Sequence, residues 1–412
     1  MAEPAAPRAW TSTALAGIIG LCFLVAIIEG YDLQAMGVAA PRLVPALHLS
    51  PGQTGSVLAA SMLGLIAGAV AGGRIADRGG RKPVLVASVA AFGLFSLGTV
   101  LAHDYPTLAT ARAATGLGLG GAMPNLIAVA ADIAGARRRG ATGGLIFAGM
   151  PLGGAGAALL ALLSPRGFDW RLIFMVGGIA PLVLAPLLAA VLAETAPGKP
   201  AGAGRPPAAS YATTLFGDGR AAATLSLWAA FVLTLVALYL LVNWLPLLVV
   251  AKGLTPKAAP LASIALNGCG VIGSMVLGAL VDRFGLRWPM LAAYAALVAS
   301  LAGLAGATGL GPIILWSGVA GFLVIGAQFV LYGAAPDYYP AGDRGAGAGA
   351  AVGVGRIGSL IGPFAAGVMI SRGASAATVV LSMAPVVATA GAALAVLTWA
   401  GRRGSARPGA QA

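Results

Sequence analysis

From Leu15 to Thr398 the chain alternates apolar runs of about twenty residues with short polar breaks. A helix rises about 1.5 Å per residue, so each run is long enough to cross a hydrocarbon core of roughly 30 Å. Twelve runs qualify, over 12–38, 54–73, 83–102, 107–132, 141–163, 171–193, 222–250, 258–281, 288–307, 312–336, 346–370 and 376–399. The longest break, Glu194 to Arg220, lies at mid-chain and is rich in Pro, Gly and Ala. It predicts a flexible linker over 194–220 between two six-helix bundles, 1–193 and 221–412.

The polar breaks repeat. Gly73-Arg-Ile-Ala-Asp77-Arg78-Gly-Gly80-Arg81-Lys82 follows the second run, and Gly278-Ala-Leu-Val-Asp282-Arg283-Phe-Gly285-Leu-Arg287 follows the eighth, at an offset of 205. The same offset brings Arg139-Gly140 onto Arg344-Gly345. Two matches at one offset predict an all-α membrane protein of two pseudo-symmetric halves in parallel repeat.

Composition agrees with this reading. The chain is 59% hydrophobic and 9% charged, whereas a soluble domain carries about 25% charged residues. Its 62 glycines are threaded through the apolar runs, where small residues let helices approach closely in lipid. The net charge of +13 points to topology rather than to nucleic acid. With a cytoplasmic N-terminus, 17 of the 25 Lys and Arg fall on inner segments: Arg8; Arg74, Arg78, Arg81 and Lys82; Arg137, Arg138 and Arg139; Lys199, Arg205 and Arg220; Arg283 and Arg287; Arg344; Arg402, Arg403 and Arg407. That asymmetry predicts an inner-membrane protein with both termini in the cytoplasm. Arg8 precedes an apolar stretch as in a signal peptide, but Glu29 and Asp32 interrupt it and no convincing cleavage site follows, so it reads as the first span. Cys22 and Cys269 read as core fillers, and His48 and His103 as loop residues.

Charges inside the runs are costly and therefore informative. The first span carries Glu29 and Asp32, three residues apart on one helix face, and the fourth carries Arg112, followed by Gly116 and Gly120. Counted from the predicted outer ends, Asp32 and Arg112 lie at the same depth, roughly 8–9 Å in, which allows an ion pair. Two carboxylates beside an arginine are the parts of a proton carrier, with Asp32 expected to be the main carrier and Glu29 the lesser. Arg356 lies near mid-membrane among Gly353, Gly355 and Gly358, where a planar guanidinium can take a carboxylate through two parallel hydrogen bonds or serve as a structural cation toward Asp337 or helix carbonyls. Asn125, Asn243, Asn267, Gln328 and Tyr332 are candidates to line the cavity or to join helices, and Tyr239, Trp244 and Phe329 to stack a ring or to pack. At the inner face, Asp77, Arg78, Arg81, Asp282 and Arg283 are candidate gating residues, Asp77 by capping the third span or pairing across to the other half.

The run from Gly73 to Lys82 closely resembles the signature loop of the major facilitator superfamily, and Arg112 with its glycines resembles that superfamily's fourth-helix pattern. Glu29-Gly-Tyr-Asp32-Leu-Gln-Ala, Pro124-Asn125-Leu126-Ile127-Ala128 and Asn243-Trp244-Leu245-Pro246 resemble the aromatic acid:proton symporter family, within it the branch of hydroxyphenylpropionate permeases. Glu29 stands where many relatives have Asp. The resemblance implies import of an aromatic carboxylate together with a proton, with the proton gradient as energy source, no cofactor, and a monomer in the bilayer. Gly149-Met-Pro151-Leu-Gly153-Gly154 resembles a pattern of antiporters in the superfamily, and its physics is a kink and close packing between the halves. A proton-driven exporter of drugs or metabolites and a membrane sensor on a transporter fold are the alternatives. An enzyme is not expected: there is no nucleophile with a nearby histidine, no metal-ligand cluster and no phosphate-binding loop.

Overall fold

The twelve apolar runs become twelve helices long and apolar enough to cross a membrane in the computed structural model, which describes residues 12–134, 139–164, 169–192, 211–340 and 343–405. They are α1 (Ser12–Ala46), α2 (Pro51–Gly79), α3 (Arg81–Val100), α4 (Tyr105–Ala134), α5 (Arg139–Leu163), α6 (Arg171–Val191), α7 (Ala221–Ala251), α8 (Ala259–Phe284), α9 (Arg287–Gly306), α10 (Leu310–Ala334), α11 (Arg344–Ser371) and α12 (Met383–Ser405). A short helix, Ala376–Leu381, leads into α12. No strand occurs among the described residues.

Several boundaries differ from the sequence reading. The first helix continues to Ala46, through Pro41 and Pro45, because Leu43 and its neighbours are buried against the bundle. The matched depth of Asp32 and Arg112 was therefore reckoned from too early an end. The segment from Gly73 is a helix end rather than a loop. α2 runs through Asp77 and Arg78 to Gly79, Gly80 turns the chain at φ 90°, and α3 starts at Arg81. Asp77 therefore does not cap α3, whose N-cap is Gly80 with no side-chain bond. The second copy has the same form: Asp282 and Arg283 lie in α8, and Gly285 turns at φ 76°. Only a residue without a Cβ takes such a φ cheaply.

Of the predicted linker, residues 194–210 lie outside the described residues, as do Arg8, Arg137, Arg138, Lys199, Arg205 and Arg407. The rest of it is structured rather than flexible. Tyr211–Phe216 is helical, Leu215 is buried, and the Thr224 hydroxyl donates to the Leu215 carbonyl at 2.6 Å.

Glycines decide how the helices cross. A Cβ on Gly68 of α2 would collide with the Leu117 carbonyl of α4, and one on Gly116 with the Ser61 carbonyl. In the second half, Gly273 of α8 is closed against the Phe322 carbonyl of α10, and Gly321 against that of Leu266. Every residue in the second set is the first moved by 205 positions, so the repeat is one of packing as well as of sequence. The α5 glycines correct an expectation: Gly153 closes against the Ile27 carbonyl of α1, within the same half.

The halves meet most closely at the end opposite Asp77 and Asp282. There Gly37 of α1 lies against the backbone of Val242 and Asn243 in α7, and Gly55 of α2 against Gly367 of α11. Nearer the other end, Ile66 and Val70 of α2 and Gly349 and Gly353 of α11 line a cavity between the halves.

Candidate functional site

Two adjoining chambers lie between the halves. The larger, of about 630 Å³, is walled by α2, α4, α5 and α11, with Glu29 and Arg356 among its lining residues. The smaller, of about 70 Å³, is lined by Gln34, Tyr239, Asn267, Gln328, Phe329 and Tyr332, among others. Leu33, Phe147, Met150 and Arg356 line both, so Arg356 stands at their junction.

Beside the chambers is a buried charge cluster. Arg112 and Asp32, each 0% exposed, meet at 2.8 Å. The two atoms are misaligned for a hydrogen bond, so the contact is electrostatic. The remaining valences are taken: Arg112 Nε donates to Ser61 Oγ at 3.3 Å and Nη2 to the Asp32 carbonyl at 3.2 Å, while Ser96 Oγ donates to Asp32 Oδ2 at 2.5 Å. The guanidinium also faces the Phe174 ring at 5.4 Å, and the Tyr31 hydroxyl donates to the Ile173 carbonyl at 3.0 Å, fixing α1 on α6. Such a cluster is costly to desolvate and is tolerated because almost every group in it is matched.

Glu29, one turn away, is in the opposite condition. It is 1% exposed, lines the larger chamber, and its Oε1 has no hydrogen-bond partner among the described residues. Arg356 lines the same chamber. Arg356 is half-buried, and its Nη1 donates to the Tyr239 hydroxyl at 3.2 Å. The expected structural alternative for Arg356 was Asp337; the partner found is Tyr239.

The polar candidates separate into three kinds. Asn125 Nδ2 donates to the Gly121 carbonyl and Asn243 Nδ2 to the Tyr239 carbonyl, each at 2.8 Å within its own helix, and neither lines a chamber. Asn267 is joined across the halves to Gln34 by two amide bonds, Gln34 Nε2 to Asn267 Oδ1 at 2.9 Å and Asn267 Nδ2 to Gln34 Oε1 at 2.8 Å. Gln328 is buried and makes no hydrogen bond among the described residues. Tyr332 stacks on Phe147 with ring centroids 4.9 Å apart, and Phe329 meets Phe147 edge to face at 6.2 Å. Trp244 is packed in the second half, donating from Nε1 to the Pro363 carbonyl at 2.9 Å.

Asp77, Arg78, Asp282 and Arg283 are exposed at the bundle end, away from both chambers; Arg283 lies over the Phe284 ring at 5.2 Å, and Arg81 is half-buried. Sequence reasoning missed Gln34, Ser61, Ser96 and Phe147. Gln34 had a signal, being an amide two residues beyond Asp32 in an apolar helix; Phe147, Ser61 and Ser96 had none, since which aromatic faces a cavity and which hydroxyl faces a charge depend on helix rotation.

A two-half bundle of twelve membrane-length helices around a cavity lined by a buried carboxyl and an arginine has the architecture of a carrier for small solutes across a membrane. The chain belongs to the Major Facilitator Superfamily, whose family model matches residues 22–363. It is a multi-pass membrane transporter and not an enzyme. Among curated proteins it is 42% identical to the 3-(3-hydroxy-phenyl)propionate transporter of Escherichia coli (strain K12), covering 98% of each chain. It is 35% identical to the gallate transporter of Pseudomonas putida, covering 86% of each. The fold matches the crystal structure of a bacterial homolog of the human lysosomal transporter Spinster, with a TM-score of 0.72 at 18% identity, over 97% of this chain and 100% of that one.

Proposed function

We propose that the protein imports an aromatic carboxylate together with protons, by alternating access across the bacterial inner membrane with both termini in the cytoplasm. The observation that carries this reading is the junction of the chambers, where a half-buried arginine held by one tyrosine hydroxyl shares a cavity wall with an orphaned glutamate. A cavity of about 630 Å³ is in the range of small-molecule sites. Arg356 offers an incoming carboxylate two charge-assisted hydrogen bonds, and Phe147, Phe329 and Tyr332 offer aromatic faces for its ring. The names of the relatives support an aromatic acid as substrate.

Within this reading Glu29 exchanges the proton and Asp32 holds Arg112. That reverses the ranking expected from depth alone, because Asp32 is matched on both oxygens and Glu29 opens onto the chamber. With the bundle closed at the outer end, the cavity faces inward, and Asp77, Arg78, Arg81, Asp282 and Arg283 at the inner end bias the two states. The resident cofactor is none and the working unit a monomer. Uptake of labelled 3-(3-hydroxyphenyl)propionate into cells, with and without a protonophore, tests the coupling. Native cells accumulate the acid only without the protonophore, and Glu29→Gln binds the acid but does not concentrate it. Normal concentrative uptake by that variant would contradict the assignment. Asp77→Ala slows turnover at unchanged binding constant; a large change in the constant at native turnover would remove Asp77 from the gate.

A further inference from the structure

The mechanism above leaves one polar group of the site unused. Gln328 of α10 is 2% exposed, lines the smaller chamber, and makes no hydrogen bond through Oε1 or Nε2 among the described residues. Tyr332, four residues on, lines the same chamber, and neither amide atom of Gln328 meets it in hydrogen-bond geometry. Buried polar groups in native proteins are almost always matched, so an orphaned amide in a cavity wall marks a place for a polar atom of the ligand. Its neighbour Asn267 has no such vacancy, being doubly bonded to Gln34.

A carboxamide presents a donor and an acceptor side by side. A hydroxyl matches both with one oxygen. The smaller chamber, at about 70 Å³, does not hold a whole aromatic acid, but it does admit the edge of a ring whose carboxylate is on Arg356 at the junction. We infer that Gln328 reads a hydroxyl group on the substrate's ring, so that the site selects hydroxylated over bare aromatic acids; the inference rests on the aromatic-carboxylate reading above.

The test is calorimetric titration of the purified full chain with a matched pair, 3-(3-hydroxyphenyl)propionate and 3-phenylpropionate. The native protein binds the hydroxylated acid about tenfold or more tightly, since a site built for a hydroxyl leaves its own groups unmatched with the analogue that lacks one. In Gln328→Leu the advantage falls to about twofold or less while 3-phenylpropionate binds at least as well as before. An undiminished advantage in that variant overturns the inference. Should Gln328→Leu bind neither acid, Gln328→Asn keeps the chemistry but withdraws it by one methylene, and it must lose most of the advantage with 3-phenylpropionate affinity intact; a native preference there overturns the inference equally. Tyr332→Phe retains the preference, and losing it there while Gln328→Leu keeps it gives the role to Tyr332. A native protein that binds both acids equally ends this inference alone, whereas one that binds neither acid ends the aromatic-acid reading with it.

Discussion

The pairs α2/α4 and α8/α10 are two copies of one crossing with different chemistry. In both, a glycine on each helix closes against a carbonyl of the other, at Gly68 and Gly116 in one copy and Gly273 and Gly321 in the other. Four residues before the Gly116 contact stands Arg112, bound to Asp32 and Ser61; four residues before Gly321 stands Ser317, whose buried Oγ has no hydrogen-bond partner among the described residues. The comparison separates scaffold from function. The crossing is what a helix pair in lipid needs wherever it occurs, so it survives in both halves. The charge cluster is costly, and among the described residues it occurs in the first half alone. The second half contributes Arg356 and Gln328, which line the smaller chamber.

The largest expected effect is that of removing one member of the buried pair. Arg112→Ala leaves Asp32 buried and uncompensated, a loss of about 3–5 kcal/mol, which thermal unfolding in detergent reads directly. An Arg112→Ala protein of native stability would mean that the cluster is not closed. Next come the crossings. Gly116→Val and Gly321→Val each force a side chain against a carbonyl and cost on the order of 1–3 kcal/mol. The two losses should agree within error, and a large disparity would break the equivalence of the halves. The smallest effect belongs to Ser317→Ala, which removes a hydroxyl that makes no hydrogen bond among the described residues and should change stability by less than about 1 kcal/mol. A loss as large as that of Arg112→Ala would reveal a hidden partner for Ser317.

The contrast also explains what the sequence could disclose. Helix number and the repeat were legible because they depend on run length and on glycine and charge spacing, which are local. The turns at Gly80 and Gly285, which the structure places inside the two matched segments, stand 205 positions apart as the repeat requires. Arg112 and Asp32 were legible as partners because a charge in an apolar helix demands one. What could not be read was rotation about the helix axes. Asn125 and Asn267 look alike in sequence, but one bonds its own helix and the other bridges the halves through Gln34. Asp32 and Glu29 lie one turn apart, and only packing decides which is matched and which faces the chamber. The end of the first span, expected at 38, was also not legible: the helix continues through Pro41 and Pro45 to Ala46.

Whether Arg356 receives the substrate's carboxylate is decided by a cycle of four binding constants: an aromatic acid and its amide, each with the native protein and with Arg356→Ala. Changing acid to amide weakens binding strongly in the native protein and far less in the variant, which already lacks the matching group, so the two losses do not add. Additive losses would contradict it and make Arg356 a structural cation held by Tyr239.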